Sequence, residues 1–274
     1  MEIIMSAIPS NLPGINVMLC GGTGSGKTHS IRTLVDAGLE VFVLFTEPGM
    51  EVLADVPEDK LHWMYIPPAS PDFADMIASA EKINKMSFEA LTKLPDINKA
   101  KYQEFIKVLN GLSNFTCERT GKSYGAVDEW DQSRVLVLDS LTGISIMAMN
   151  LVAGSKPVKS MADWGVAIDN LERLLTKLCV DTKCHFVLTS HLERETDEVT
   201  GGTSLMASTL GRKLAPKLPR FFSDVIHAKR NADKFVWSTA TSNVDLKARN
   251  LAIADNIPPT FAPLIANWRK RVSA

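Results

Sequence analysis

Residues Gly21, Gly22, Thr23, Gly24, Ser25, Gly26, Lys27 and Thr28 follow one another in the spacing needed to wrap a polyphosphate. Glycines let the backbone curl so that its N–H groups point inward. Lys27 is spaced to reach the β- and γ-phosphates, and the Thr28 hydroxyl to ligate Mg²⁺. The expected ligand is therefore a nucleoside triphosphate with Mg²⁺. Three more positions could complete a hydrolytic centre. Asp139 ends the run Arg134 to Ser140, R-V-L-V-L-D-S, and an acid at that place can hold Mg²⁺ opposite Thr28; its alternative role is a helix N-cap. Glu47 follows the apolar run Val41 to Phe45 and could take a proton from an attacking water, or simply begin the Pro48-Gly49 turn. His191 follows a further apolar run and could touch the γ-phosphate, or close the strand.

Cations supply the second set of candidates. Lys247 and Arg249 stand two residues apart, on one side of an extended strand if 244–249 is one. Because Lys27 already serves its own loop, the γ-phosphate of a neighbouring subunit is their expected target. Arg212, Lys213 and Lys217 lie in a long polar stretch, Leu192 to Pro219, expected to be a loop that meets nucleic acid electrostatically. The charge distribution agrees: from Gly211 onward twelve Lys or Arg face four Asp, whereas the first 210 residues carry eighteen against twenty-seven.

Positioning these groups requires parallel strands that deliver their ends to one edge. Ile15–Cys20, Val41–Phe45, Arg134–Leu138, His185–Thr189 and Asp224–Ala228 read as such strands. His29–Ala37 reads as the helix after the glycine loop, with Gly38 stopping it, and Trp164–Leu178 as an amphipathic helix with Asp163 at its N-cap. The fold class is α/β, a mostly parallel sheet flanked by helices. Lys234–Thr239 and Val244–Arg249 are expected to pair as a C-terminal β-hairpin. Residues 66–132 read as a largely helical insertion, with helices over Asp72–Asn84 and Lys99–Leu109. Within it, Thr120-Gly121-Lys122-Ser123 lacks the first glycine of a phosphate loop, since position 116 is Thr116, and is read as a turn.

The composition, with 45% hydrophobic and 22% charged residues among 274, is that of an ordinary globular domain. One domain over 1–274 is expected. No apolar run is long enough for a membrane span and no secretory signal is visible, so a cytoplasmic protein is expected. Cys20, Cys117, Cys179 and Cys184 lack paired spacing. Cys179 and Cys184-His185 are read as packing residues, not metal ligands.

Taken together, Gly21–Thr28, Glu47, the V-L-V-L-D-S-L run ending at Leu141, the 185–191 strand and Lys247-x-Arg249 resemble the RecA-like ATPase core. The resemblance extends to the compact phage-encoded ATP-binding proteins that include the fourth Sak-type class of single-strand annealing proteins. It covers about residues 12–65 and 133–260. It implies that Glu47 is the catalytic base, that His191 stands where such proteins commonly carry a γ-phosphate-sensing Gln, and that Lys247 and Arg249 act across a subunit interface. Gly154–Asp163 and Leu192–Pro219 would be its DNA-facing loops. The implied function is a DNA-stimulated ATPase acting on single-stranded DNA in recombination or annealing. It would work as a homo-oligomer in the bacterial host cytoplasm, with a single-strand-binding or other replication protein as a further partner. An assembly or packaging factor with a protein partner shares every catalytic residue. A small-molecule kinase fits the strand and late cations poorly.

Overall fold

The computed structural model describes residues 12–94, 99–196 and 201–273. Among these residues nine strands are formed: β1 (Asn16–Gly21), β2 (Glu40–Phe45), β3 (Leu61–Tyr65), β4 (Arg134–Asp139), β5 (His185–Ser190), β6 (Leu192–Thr196), β7 (Thr203–Ala207), β8 (Asp224–Asn231) and β9 (Lys234–Ser238). The helices are α1 (Lys27–Ser30), α2 (Arg32–Asp36), α3 (Phe73–Asn84), α4 (Phe88–Thr92), α5 (Glu104–Ser113), α6 (Leu141–Ala153), α7 (Met161–Thr176), α8 (Gly211–Leu214) and α9 (Ala262–Val272). Seven strands make one sheet in the order β3-β2-β4-β5-β1-β8-β9, with only the β8–β9 pair antiparallel. This is an α/β architecture, a mostly parallel sheet with helices on both faces.

Both faces of the sheet are covered, which is why its central strands are continuously apolar and not alternating. Met18, Phe42, Leu136 and Phe186 face a core shared with α5, α6 and α7. Val17, Val41, Val135 and Val187 face the other core, closed by Ile31 and Leu34 near the phosphate loop and by Leu264, Ile265 and Trp268 of α9. The four cysteines are buried and free. Burial pushes the thiols of Cys20 and Cys179 up to about 12 and that of Cys184 to about 11, as expected of packed sulfur. Among the described residues no cluster of His, Cys, Asp or Glu could hold a metal ion.

Several elements differ from expectation. The segment 244–249 is not a hairpin strand. β9 pairs with β8 itself through a tight turn at Ala232-Asp233, because β8 runs eight residues and its distal half takes β9 as neighbour. Among the described residues Lys247 forms an isolated antiparallel bridge, to Val225. Asp163 is not the N-cap of α7: Ser160 caps it, its Oγ accepting from Asp163 N while the Asp163 carboxylate accepts from Ser160 N, a reciprocal capping box that moves the start about one turn earlier. The helix expected over 99–109 lies at Glu104–Ser113, after a 3-10 turn. Leu192–Pro219 is not an extended loop: β6 and β7 pair antiparallel, and α8 and a 3-10 turn follow. β3, unforeseen, closes one edge of the sheet. The turn at Thr120–Ser123 is present, with Gly121 at φ +69°, and α3 begins where expected, capped by Asp72.

Candidate active site

The phosphate loop leaves β1 at Gly21, where a Cβ would come within 2.4 Å of Ala228 O on the adjacent strand. At Gly26, φ is +84° and a Cβ would lie 2.9 Å from the Phe235 ring, so both the backbone conformation and the space demand glycine. Lys27 is 7% exposed and donates from Nζ to Gly21 O and Gly22 O, each at 2.9 Å. Burial lowers its pKa, opposed by the charges of Asp139 and Glu47. Ser25 Oγ is buried and has no hydrogen-bond partner among the described residues. An orphaned hydroxyl beside a buried ammonium, with open space at Gly22 and Gly24, fits a polyphosphate.

The sheet order brings the acids to this loop. β5 is inserted between β1 and β4, so the ends of β2, β4 and β5 line one flank of the loop. Asp139, at the end of β4, accepts from Thr28 Oγ1 at 2.8 Å and from the Thr189 hydroxyl of β5. Its burial raises its pKa, and the two hydroxyls and Lys27 act in the opposite direction. Thr28 and Asp139 thus offer a hydroxyl and a carboxylate in direct contact, a donor set suited to Mg²⁺, which takes its remaining ligands from phosphate and water.

Glu47 stands on the same edge. Ser140 Oγ donates to its Oε1 at 2.8 Å, and its Oε2 lies 3.0 Å from His191 Nε2. The His191 hydrogen bond, followed by that of Ser140, holds the Glu47 carboxyl below its ordinary range although partial burial acts upward. Ser140 is itself fixed: Thr46 Oγ1 donates to Ser140 O at 3.0 Å and lies 2.8 Å from Ser140 N, while Ser140 Oγ caps α6 at Gly143 N. A Cβ at Gly143 would fall 2.2 Å from Thr46 Oγ1, so α6 can start this close only with glycine there. Ser140, Thr46, Thr189 and Gly143 had no assigned role in the sequence. The one available signal was the position of Ser140 directly after Asp139.

The remaining candidates lie elsewhere. Lys247 bridges Val225, which pairs with Met18, three residues before Gly21 in the neighbouring strand and so roughly 10 Å along the sheet from the loop. Its ammonium donates to Phe222 O at 2.7 Å and to Pro219 O at 3.5 Å, so it faces its own chain and not outward. Arg249 is exposed, its backbone N bonded to Asp224. Lys213 is exposed in α8. Lys217 Nζ lies 3.8 Å from Glu172 of α7, and the side chain of Arg212 lies outside the described residues. In the 154–163 segment, Lys156 pairs with Asp163 at 3.0 Å.

A glycine loop with a buried lysine, a strand-end aspartate on the loop threonine, and a sheet that inserts one strand between them define a P-loop nucleotide-binding domain. Residues 14–250 match the family model described as AAA domain, and the chain belongs to that family. No curated protein sequence matches it. Among solved structures, the crystal structure of the RadB recombinase is 12% identical, with 82% of this chain and 80% of that one covered and a TM-score of 0.37. Among the described residues no helix is long and apolar enough to cross a membrane.

Proposed function

We propose that the chain is a Mg²⁺-dependent ATP hydrolase in which Glu47 is the general base. The observation that carries this reading is the Glu47 carboxylate, held by Ser140 and His191 on the same sheet edge as the Thr28–Asp139 pair. A carboxylate has about four lone-pair sites, so two protein donors leave room to accept from water. Its depressed pKa keeps it ionised at neutral pH. In the proposed step, water attacks the γ-phosphorus and gives its proton to Glu47, and the bond to the β-phosphate oxygen breaks. Lys27 and the loop N–H groups bear the charge that builds on the leaving ADP. Mg²⁺, held at Thr28 and Asp139, would neutralise charge on the phosphates. His191 is the group through which loss of the γ-phosphate would be felt: it touches Glu47 and its carbonyl accepts from Ser208 N at the foot of the β6–β7 hairpin, at 2.8 Å.

The partner on which that hairpin acts is, in this reading, single-stranded DNA, engaged through Arg212 and Lys213 during recombination or annealing. ATP would sit at interfaces between copies of the chain, with Arg249 the cation offered to a neighbour's site. A protein partner is the second reading. It is favoured by β6 itself, where Glu193 and Glu195 flank Arg194, and by the engagement of Lys217 with Glu172; both reduce the positive charge available to a phosphate backbone. ATP turnover measured with and without single-stranded DNA separates the two. Stimulation supports the first, whereas unchanged turnover with no DNA binding at low salt supports the second.

A further inference from the structure

Helix α3 turns its polar flank to the protein and its apolar flank to solvent, the reverse of a surface helix that packs on its own core. Asp75 accepts from Lys101 of the 3-10 turn, which fixes the flank that meets the body. Phe73 and Ile77 stand two residues either side of Asp75, about 160° around a helix of 3.6 residues per turn, and so point away from it. They are 83% and 59% exposed. Met76 and Ile83 continue the same flank and are exposed too, with Ala80 between them, and none of the residues of α3 is buried. Phe88, at the start of α4, adds a second exposed aromatic ring. A cleft of about 770 Å³, bordered by Met76 and Ile83 on the helix and by Tyr102 and Pro157 on the body, separates α3 from the rest of the chain. These five large side chains offer an apolar area on the order of 500 Å² per copy, a size that marks an interaction surface.

We propose that α3 is a homodimerisation helix, its apolar flank covered by the same flank of a second copy running antiparallel. The charges along the helix favour this occupant. Asp72 and Asp75 stand at its start, Lys82 and Lys85 at its end, and Glu81 at the rim of the apolar flank. A two-fold axis at the level of Ala78 and Ser79 sets Asp72 against Lys85 of the second copy, Asp75 against Lys82, and Ile77 against Ala80. The small Ala80 lets the backbones approach to the 8–10 Å usual between packed helices. A parallel pair would instead align like charges and add the two macrodipoles in the same sense. The contact is self-complementary, as a two-fold interface must be, and two such flanks together reach about the 1,000 Å² of a specific interface. It uses no residue of the triphosphate loop, so it forms without nucleotide and does not rest on the ATPase reading.

The test is sedimentation velocity of the full chain over a range of protein concentrations, without nucleotide. The parent and Lys27→Ala are expected to dimerise with the same dissociation constant. Ile77→Asp puts a charge at the centre of the flank, and Lys82→Glu with Lys85→Glu sets like charges opposite Asp75 and Asp72. Each should weaken the dimer at least about tenfold. All three positions are exposed, so the circular dichroism of these variants should match the parent. Register is read by air oxidation: Ile77→Cys mixed with Ala80→Cys should cross-link faster than either alone, the chain's own cysteines being buried. A parent that stays monomeric at every concentration overturns the proposal and leaves the flank to a different protein. A dimer indifferent to Ile77→Asp, or one lost in Lys27→Ala, places the contact elsewhere and overturns it too. Faster cross-linking of Ile77→Cys with itself refutes the antiparallel arrangement.

Discussion

Replacing Glu47 with Gln removes one proton-accepting oxygen and almost nothing else. The amide keeps a carbonyl that can accept from Ser140 Oγ, now at 2.8 Å from Oε1, and an NH₂ that can donate to His191 Nε2 in its acceptor tautomer, now at 3.0 Å from Oε2. The side chain is 30% exposed, so no buried charge is left unpaired. ATP affinity should therefore persist, because the groups assigned to the phosphates, Lys27, Thr28 and the loop amides, are untouched. A general base contributes about 10²- to 10⁴-fold, which corresponds to roughly 3–5 kcal/mol of barrier. Single-turnover phosphate release should fall by that factor at saturating ATP, with calorimetric affinity within a few-fold of the parent. A parallel fall of affinity and rate would refute the assignment and make Glu47 a structural ligand of Ser140 and His191. The pH profile is a second, independent check. Glu47 titrates below its ordinary value of 4.5, so its base form, and the rate it supports, is present above that range and is lost as pH falls through the depressed value. Because the His191 hydrogen bond is the largest contributor to that depression and Ser140 a smaller one, the acid limb should move upward in His191→Ala and less in Ser140→Ala.

Other perturbations test neighbouring parts of the site. Lys27→Ala should abolish triphosphate binding, by calorimetry, without unfolding the chain, since among the described residues the ammonium bonds the carbonyls of Gly21 and Gly22. Gly143→Ala forces a Cβ to 2.2 Å from Thr46 Oγ1, so overpacking should cost about 1–3 kcal/mol of stability in denaturant melts and lower turnover by displacing Ser140 from Glu47. If single-stranded DNA binds, Arg212→Ala with Lys213→Ala should flatten the log–log salt dependence by roughly 0.7 for each phosphate left unneutralised. An unchanged slope would remove α8 from the interface. Mixing Arg249→Ala with Lys27→Ala chains should regain some ATP turnover through interfaces that pair an intact loop with an intact arginine; silence despite proven subunit exchange would refute a role in trans.

The parts of the site legible in the sequence were those whose chemistry is contiguous. Gly21–Thr28 is one unbroken run, and β4 declares itself by four buried apolar residues, Val135 to Leu138, that need no alternation because helices cover both sheet faces. Contacts set by strand order were not legible. Nothing local indicates that β5 slides between β1 and β4, yet that insertion puts the Thr189 hydroxyl on Asp139 and His191 on Glu47. Reciprocal patterns were also ambiguous: Ser160 and Asp163 each suit a helix start, and only the pair of bonds between them tells which is the cap. The late cations show the limit most clearly. Lys247 and Arg249 have the two-residue spacing of a strand face, but β8 already has β9 for its distal half, and the bridge at Val225 leaves Lys247 beside the carbonyls of Pro219 and Phe222. An ammonium there gains two acceptors and is shielded from solvent on one side, and its pKa falls through that desolvation and the charge of Arg249. Holding the chain after β8 against the sheet accounts for Lys247 without any neighbour, whereas the side chain of Arg249 is exposed.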